Sequence, residues 1–163
     1  MNDTGQLKVL LVIPLYNHAE TVDSVVRNGL ATGYTVLVVD DGSTDDGFER
    51  IAELDCLKLK LTPNRGKGVA ILAAARFAAD NNFHAILTLD ADGQHDPLEA
   101  GKLIREAEKK ASPTIIIGAR QMIQDSVPRS SHFGRKFSNF WVRLECGCDL
   151  SDTQSGMRLY PVR

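Results

Sequence analysis

Four apolar runs, each cut off by a short polar turn and each followed by residues of a different period, restrict the folds open to this chain. Lys8 to Ile13 stops at Pro14-Leu-Tyr-Asn17. Thr35 to Val39 closes on Asp40-Asp41-Gly42-Ser43-Thr44-Asp45-Asp46. Leu57 to Leu61 leads into Asn64-Arg-Gly-Lys-Gly68, and Ala85 to Leu89 ends on Asp90-Ala-Asp-Gly-Gln94. Short β-branched or apolar runs bounded by Pro, Gly and Asp are strand signals. Leucine alternating with lysine from Leu57 to Leu61 marks an edge strand, and Thr114 to Ile117, before Gly118-Ala119-Arg120, makes a fifth strand.

Helical spacing fills the gaps. Asn17 stands as an N-cap with Glu20 in the capping-box position, ahead of an apolar face of Val22, Val25 and Val26. A second helix is predicted from Asp46 to Leu54. A third, Val69 to Ala79, is alanine-rich and narrow-faced, suited to close packing on a sheet. Pro97 opens a fourth at a position where its missing N–H costs nothing, with Leu98, Leu103, Ile104 and Ala107 on its buried side. Alternation at βαβ lengths predicts the fold class: α/β, a three-layer α/β/α sandwich with a mostly parallel sheet.

Bulk properties close off other classes. At 163 residues the chain is one domain's worth, and 43% apolar with 25% charged residues is ordinary for a globular protein. A net charge of -2 predicts no nucleic-acid partner. The apolar runs are too short to span a membrane, and the polar N-terminus has no signal-peptide pattern. Cys56, Cys146 and Cys148 are too few for a disulfide framework or a structural zinc site, so a reduced, cytoplasmic location is the expectation.

In an open parallel sheet the carboxyl ends of the strands share one edge, where ligands bind. Four polar turns along that edge make one long site. Asp90 and Asp92, one residue apart, present their side chains to the same side, and like charges that close need a cation between them. With the Gln94 amide they form a hard oxygen set suited to Mg²⁺ or Mn²⁺. The alternative is a solvated Asp/Gly turn. For Asp40 the alternative is a helix cap, a task that Asp41, Ser43 or Asp45 could also serve. Lys67 could be a surface charge, Arg120 a solvated one, His95 part of the turn and His18 a surface histidine.

Beyond Arg120 the pattern changes. Met122 to Ser131 reads as a loop. Phe133, Phe137, Phe140, Trp141 and Leu144 recur at helical spacing, either as core or as an apolar groove beside Arg135 and its basic neighbours. Asp152-Thr-Gln-Ser-Gly156 is another small polar turn, followed by a strand from Met157 to Tyr160. The chain stops at Arg163 directly after that strand, so a domain cut short at its C-terminus is expected. A single domain over 1–163 is expected, divided into 9–118 and 119–163.

No G-x-G-x-x-G follows the first strand, and Gly66-Lys67-Gly68 lacks the upstream glycine and the hydroxyl of a P-loop. No serine elbow, H-E-x-x-H or C-x-x-C is present. Instead Val12-Ile-Pro-Leu-Tyr-Asn17, Val38-Val-Asp-Asp-Gly-Ser-Thr-Asp45, Asn64-Arg-Gly-Lys-Gly68 and Leu89-Asp-Ala-Asp-Gly-Gln-His-Asp-Pro97 resemble the inverting family 2 glycosyltransferases. With Gly118-Ala-Arg120 and Asp152-Thr-Gln-Ser-Gly-Met-Arg158 downstream, the chain is similar to the dolichyl-phosphate mannose synthase and polyprenyl-phosphate sugar transferase branch. The resemblance runs from Val9 to Arg158.

It implies the GT-A fold and a UDP- or GDP-linked sugar donor, with a donor-binding half in 9–118 and a partial acceptor-side region in 119–163. Pro14, Tyr16, Glu20, Asp40, Arg65, Lys67, Asp90 and Ala91 would form the donor site, with Asp40 accepting a hydrogen bond from the base. Asp90, Asp92 and Gln94 would hold Mg²⁺ or Mn²⁺ and the diphosphate. The catalytic set would be Asp92, Arg120, Arg135 and Asp152, the two arginines facing the phosphates of donor and acceptor. The implied acceptor is a polyprenyl phosphate, at the cytoplasmic face of a membrane. Hydroxyl-transferring members commonly carry a Glu-Asp pair where this chain has Leu150-Ser151-Asp152, which tilts the reading towards phosphate. Asp152 could still serve as a base towards a glycan hydroxyl. A nucleotidyltransferase would share the acidic turns and the metal but wants a Gly- and Arg-rich loop after the first strand. A non-catalytic, glycosyltransferase-like binding module is the other alternative.

Overall fold

A computed structural model describes residues 7–118 and 155–162. Within them lies a six-stranded sheet in the order β3-β2-β1-β4-β6-β5. Its strands are β1 (Val9–Leu15), β2 (Thr35–Asp41), β3 (Leu57–Leu61), β4 (Ala85–Thr88), β5 (Ile116–Ile117) and β6 (Arg158–Pro161). β3, β2, β1 and β4 run parallel. β6 is antiparallel to both of its neighbours, β4 and β5, so the sheet is mostly parallel, as predicted.

Strand alternation sorts the core into two layers. Leu11, Ile13 and Leu15 of β1, Val36 and Val38 of β2 and Leu87 of β4 face α1 (Val22–Ala31), α2 (Gly47–Arg50) and α4 (Ala100–Glu108). Leu10, Val12, Leu37, Val39 and Ile86 face α3 (Lys67–Asp80), which buries Ala70, Ala74 and Ala78 completely. Methyl side chains spaced four apart let that helix lie flat on the sheet. Each fully buried leucine or valine stabilises the fold by about 1.5–3 kcal/mol. β1, paired on both sides, is the centre. Its pairing with β4 runs out at Val12, so Pro14 lies where β1 is hydrogen-bonded to β2 alone.

Several boundaries differ from the sequence reading. β2 runs two residues further, because Asp40 and Asp41 stay in register with Lys60 and Leu61 of β3. α1 begins at Val22 with Thr21 as its N-cap. Asn17 adopts a positive φ of 55° and its side chain is taken by the turn after β2, so the expected capping box does not form. α2 is only four residues long. It stops where Ile51 plugs the core and the chain turns towards β3. Pro97–Glu99 forms a single 3-10 turn capped by Asp96, whose Oδ1 accepts from Leu98 N at 2.9 Å. That offset buries Pro97 and leaves Leu98 exposed, contrary to expectation, while Leu103 and Ile104 face the core. Among the described residues no helix is long and apolar enough to cross a membrane.

Candidate active site

The carboxyl ends of β1, β2, β3 and β4 surround a cleft of about 280 Å³. Pro14, Leu15 and Tyr16 come from the end of β1 and Asp41 from the end of β2. Asn64, Gly66 and Lys67 come from the loop into α3, and Asp90, Ala91 and Asp92 from the turn after β4. Parallel pairing puts these four segments at one level. Side-chain hydrogen bonds then lash them together.

The lashings are specific. Asn17 N donates to Ser43 Oγ at 3.1 Å, and Asn17 Oδ1 accepts from Thr44 N at 2.8 Å. Ala19 N donates to Asp45 Oδ2 at 2.9 Å, tying the turns after β1 and β2 at a second point. Thr21 Oγ1 donates to Ala91 O at 2.5 Å, joining the start of α1 to the turn after β4. Asp41, buried, accepts from Arg65 N at 3.0 Å and Gly66 N at 2.7 Å, one on each carboxylate oxygen. Gly42 makes that approach possible. At its φ of +73° a Cβ would lie 2.7 Å from Asn64 N, so no other residue fits the crossing of these two loops.

The two carboxylates after β4 are placed differently from each other. Asp90 forms an ion pair with Lys67 Nζ, across the cleft on the first turn of α3. Behind it stands Gly156: a Cβ there would fall 2.0 Å from Asp90 Oδ2, so bare backbone is pressed against the carboxylate. Gly156 is itself held by its carbonyl, which accepts from Thr88 Oγ1 at 2.9 Å. Asp92 Oδ1 accepts from Gln94 N at 2.9 Å, which turns the loop back at Gly93. Both carboxylates line the cleft, and as hard oxygen donors they fit Mg²⁺ or Mn²⁺. Among the described residues no three His, Cys, Asp or Glu side chains gather into a metal cage. Mg²⁺ bound by one or two carboxylates plus substrate phosphates needs none.

Of the expected donor residues, the cleft gathers Pro14, Tyr16, Lys67, Asp90 and Ala91, together with Asp92. Others are placed elsewhere. Asp40 points to the opposite face of β2 from Asp41 and is wholly buried. Its Oδ1 accepts from Ser43 N at 3.0 Å, while Oδ2 has no hydrogen-bond partner and lies 3.8 Å from Lys60 Nζ. The expectation that Asp40 meets the base is therefore corrected: consecutive strand residues face opposite ways, and Asp41 is the one on the cleft. Glu20 is exposed and outside the cleft, since the capping box that would have drawn it in is absent. Arg65 contributes its backbone N–H rather than a cleft-lining side chain. Of the three residues expected to hold the metal, Asp90 and Asp92 line the cleft, while Gln94 is exposed and not among the cleft residues.

Arg120, Arg135 and Asp152, with the Phe133 to Leu144 stripe, lie outside the described residues. The sequence puts Asp41 and Asn64 in turns along the site edge without giving either a donor role, leaves His18 as a surface histidine, and does not show Gly156 as the backing of Asp90. Face alternation along β2 separates Asp41 from Asp40 but does not by itself say which of them meets the cleft. For Gly156 there was no signal, because its contact with Asp90 is long-range in the chain.

The model of glycosyl transferase family 2 matches residues 10–162. The chain belongs to that family. It is 28% identical over 164 residues to an uncharacterized protein of Methanocaldococcus jannaschii, covering 98% of this chain and 67% of that protein. It is 29% identical over 165 residues to the undecaprenyl-phosphate 4-deoxy-4-formamido-L-arabinose transferase of Salmonella choleraesuis, covering 94% of this chain. The chain spans only 48% of that transferase. Glucosyl-3-phosphoglycerate synthase from Mycobacterium tuberculosis, solved with UDP, superposes with a TM-score of 0.73 at 20% identity, over 98% of this chain and 58% of the synthase. The same synthase with Mn²⁺, UDP and glucosyl-3-phosphoglycerate gives 0.72 at 19% identity. At that identity the likeness establishes the fold, the GT-A sandwich that the family resemblance implied.

Proposed function

We propose that this family 2 chain binds a nucleoside-diphosphate sugar in the cleft and, with a divalent cation, transfers the sugar with inversion, most favourably to a polyprenyl phosphate. The observation that carries the reading is the convergence of Asp41, Lys67, Asp90 and Asp92 on one cleft at the carboxyl edge of the sheet.

The cleft divides by chemistry. Tyr16, half exposed beside Pro14, offers an aromatic face for a base. Asp41 accepts two backbone N–H groups and still has lone pairs for a base N–H. Carboxylates do not meet a diphosphate directly. A cation held by Asp90 and Asp92 would supply the positive charge that binds the diphosphate and stabilises it as a leaving group. Lys67 supplies a second positive charge on the facing wall.

In the proposed reaction an acceptor oxygen bonds to the anomeric carbon as the carbon–oxygen bond to the nucleoside diphosphate breaks. The diphosphate leaves with the electron pair. A phosphate acceptor, already ionised near neutral pH, needs no base, whereas a hydroxyl acceptor would have to lose its proton to one. The similarity to an undecaprenyl-phosphate sugar transferase supports the phosphate acceptor. A polyprenyl phosphate would bring the protein to a membrane surface.

Calorimetric titration of the intact protein with UDP and with GDP, each with and without Mn²⁺, tests the donor site. Tight binding of one nucleotide that depends on Mn²⁺ is the expected result. Equal binding without the metal would remove the cation from the mechanism. Product formation from the matching nucleotide sugar with polyprenyl phosphate, but not with a simple glycan, checks the acceptor.

A further inference from the structure

Lys67 occupies an electrostatically odd position. It is the first residue of α3, where the helix dipole makes a cation unfavourable. Gly66, just before it, provides no capping side chain, and the first turn of α3 contains no acidic residue. The charge is balanced from outside the helix, by Asp90 across the cleft. That carboxylate is confined by Gly156, whose bare backbone is pressed against it. The pairing is reversible by construction of its surroundings: the Lys67 side chain is 50% exposed and the Asp90 side chain 26%. An ammonium so well solvated can leave its partner without being stranded.

Resting on the donor-site reading above, we infer that Lys67 is the resident counter-ion of Asp90, and that it exchanges partners when the donor binds with its cation. Lys67 yields Asp90 to the cation, and its ammonium then turns to the incoming diphosphate. The positive end of α3 favours that second partner, because an anion at a helix N-terminus is stabilised where a bare lysine is not. Two consequences follow. Before the donor arrives, Lys67 competes with the cation for Asp90 and holds its affinity down. After it arrives, the same lysine contributes to holding the diphosphate. Cation and nucleotide are thereby coupled, each binding better in the presence of the other.

Lys67→Gln separates the two halves, because it removes the charge and keeps a polar side chain. On the intact protein, Mn²⁺ alone, followed by the electron paramagnetic resonance of the free ion, is expected to bind about ten-fold tighter in Lys67→Gln than in wild type, as removing one nearby like charge does. UDP or GDP, whichever the wild type binds, is expected to bind more weakly to the variant with Mn²⁺ present. Lys67→Arg, which keeps the charge, should retain wild-type Mn²⁺ affinity. Unchanged or weaker Mn²⁺ binding in Lys67→Gln, with Asp90→Asn still abolishing it, would overturn the exchange and leave the donor site standing. Absence of Mn²⁺ binding in every variant, with either nucleotide, would overturn both.

Discussion

Two pairs of aspartates lie at the carboxyl ends of β2 and β4, on either side of β1, and they are placed in opposite ways. Asp40 and Asp41 are adjacent and still within β2, so the pleat sends them to opposite faces and both are buried. One is satisfied by the backbone of the α3 loop, the other by Ser43 and the distant charge of Lys60. Asp90 and Asp92 are two apart and beyond the end of β4, so both reach the cleft and neither is fully buried. Similar composition thus yields a buried pair of which only Asp41 reaches the cleft in one place, and a pair whose members both line the cleft in the other. Spacing and the point where the strand stops make the difference.

That contrast can be broken at either end. The largest effect is expected at the cleft pair: Asp92→Asn should lower Mn²⁺-dependent nucleotide affinity by at least about 100-fold. Its thermal midpoint should stay within about 2 °C of wild type. Unchanged affinity by calorimetry would remove Asp92 from the metal site. Next, Asp41→Ala should cost about 2–3 kcal/mol in urea unfolding, since two buried backbone N–H groups lose their acceptors. Asp41→Asn, which keeps one acceptor, should cost about half as much. A loss confined to binding, with stability intact, would make Asp41 a ligand residue and not a clamp.

Lys60→Met tests the other half of that pair. It strips the ammonium that lies 3.8 Å from the buried, unpartnered Asp40 Oδ2. Because Lys60 is half exposed, the expected loss is about 1 kcal/mol rather than that of a buried pair. No loss at all would mean that Asp40 is compensated from elsewhere. The smallest effect belongs to an acid with no part in either pair. Asp23, on the exposed face of α1, is held below the usual carboxylate range first by its hydrogen bond from Arg27, against the opposing effect of desolvation, and then by the charges of Arg27 and Arg50. A lowered folded-state value means that the pair's stabilisation is present at neutral pH and fades as pH falls through the Asp23 titration. In Arg27→Ala, the Asp23 carboxyl followed by NMR should titrate nearer its ordinary value, with the urea midpoint scarcely moved.

Much of this was readable in the residues because it is local. The β1 run, the alanine face of α3 and the D-x-D spacing each report on neighbours a few positions away. What was misread depends on partners far off in the chain. Asn17 carries every mark of a helix cap, yet Thr44, 27 residues on, outbids the helix for its side-chain oxygen. Which of Asp40 and Asp41 meets the cleft depends on which face of the sheet α3 covers, a matter of crossover and not of spacing. Lys67 was expected on the donor side from the family resemblance, but its ion pair with Asp90 was not legible, because the two are 23 residues apart.

The contact between Gly156 and Asp90 sets an order of events during synthesis. Thr88 and Gly156 are 68 residues apart in the chain. When β4 has emerged and β6 has not, the carboxylate turn exists but nothing backs it, and β5 has no strand to pair with, since β6 lies between the two. β6 is thus the keystone laid last among these strands. Its arrival joins β4 to β5 and sets Gly156 against Asp90 together, so a growing chain cannot present the finished carboxylate turn before the strands that support it have paired.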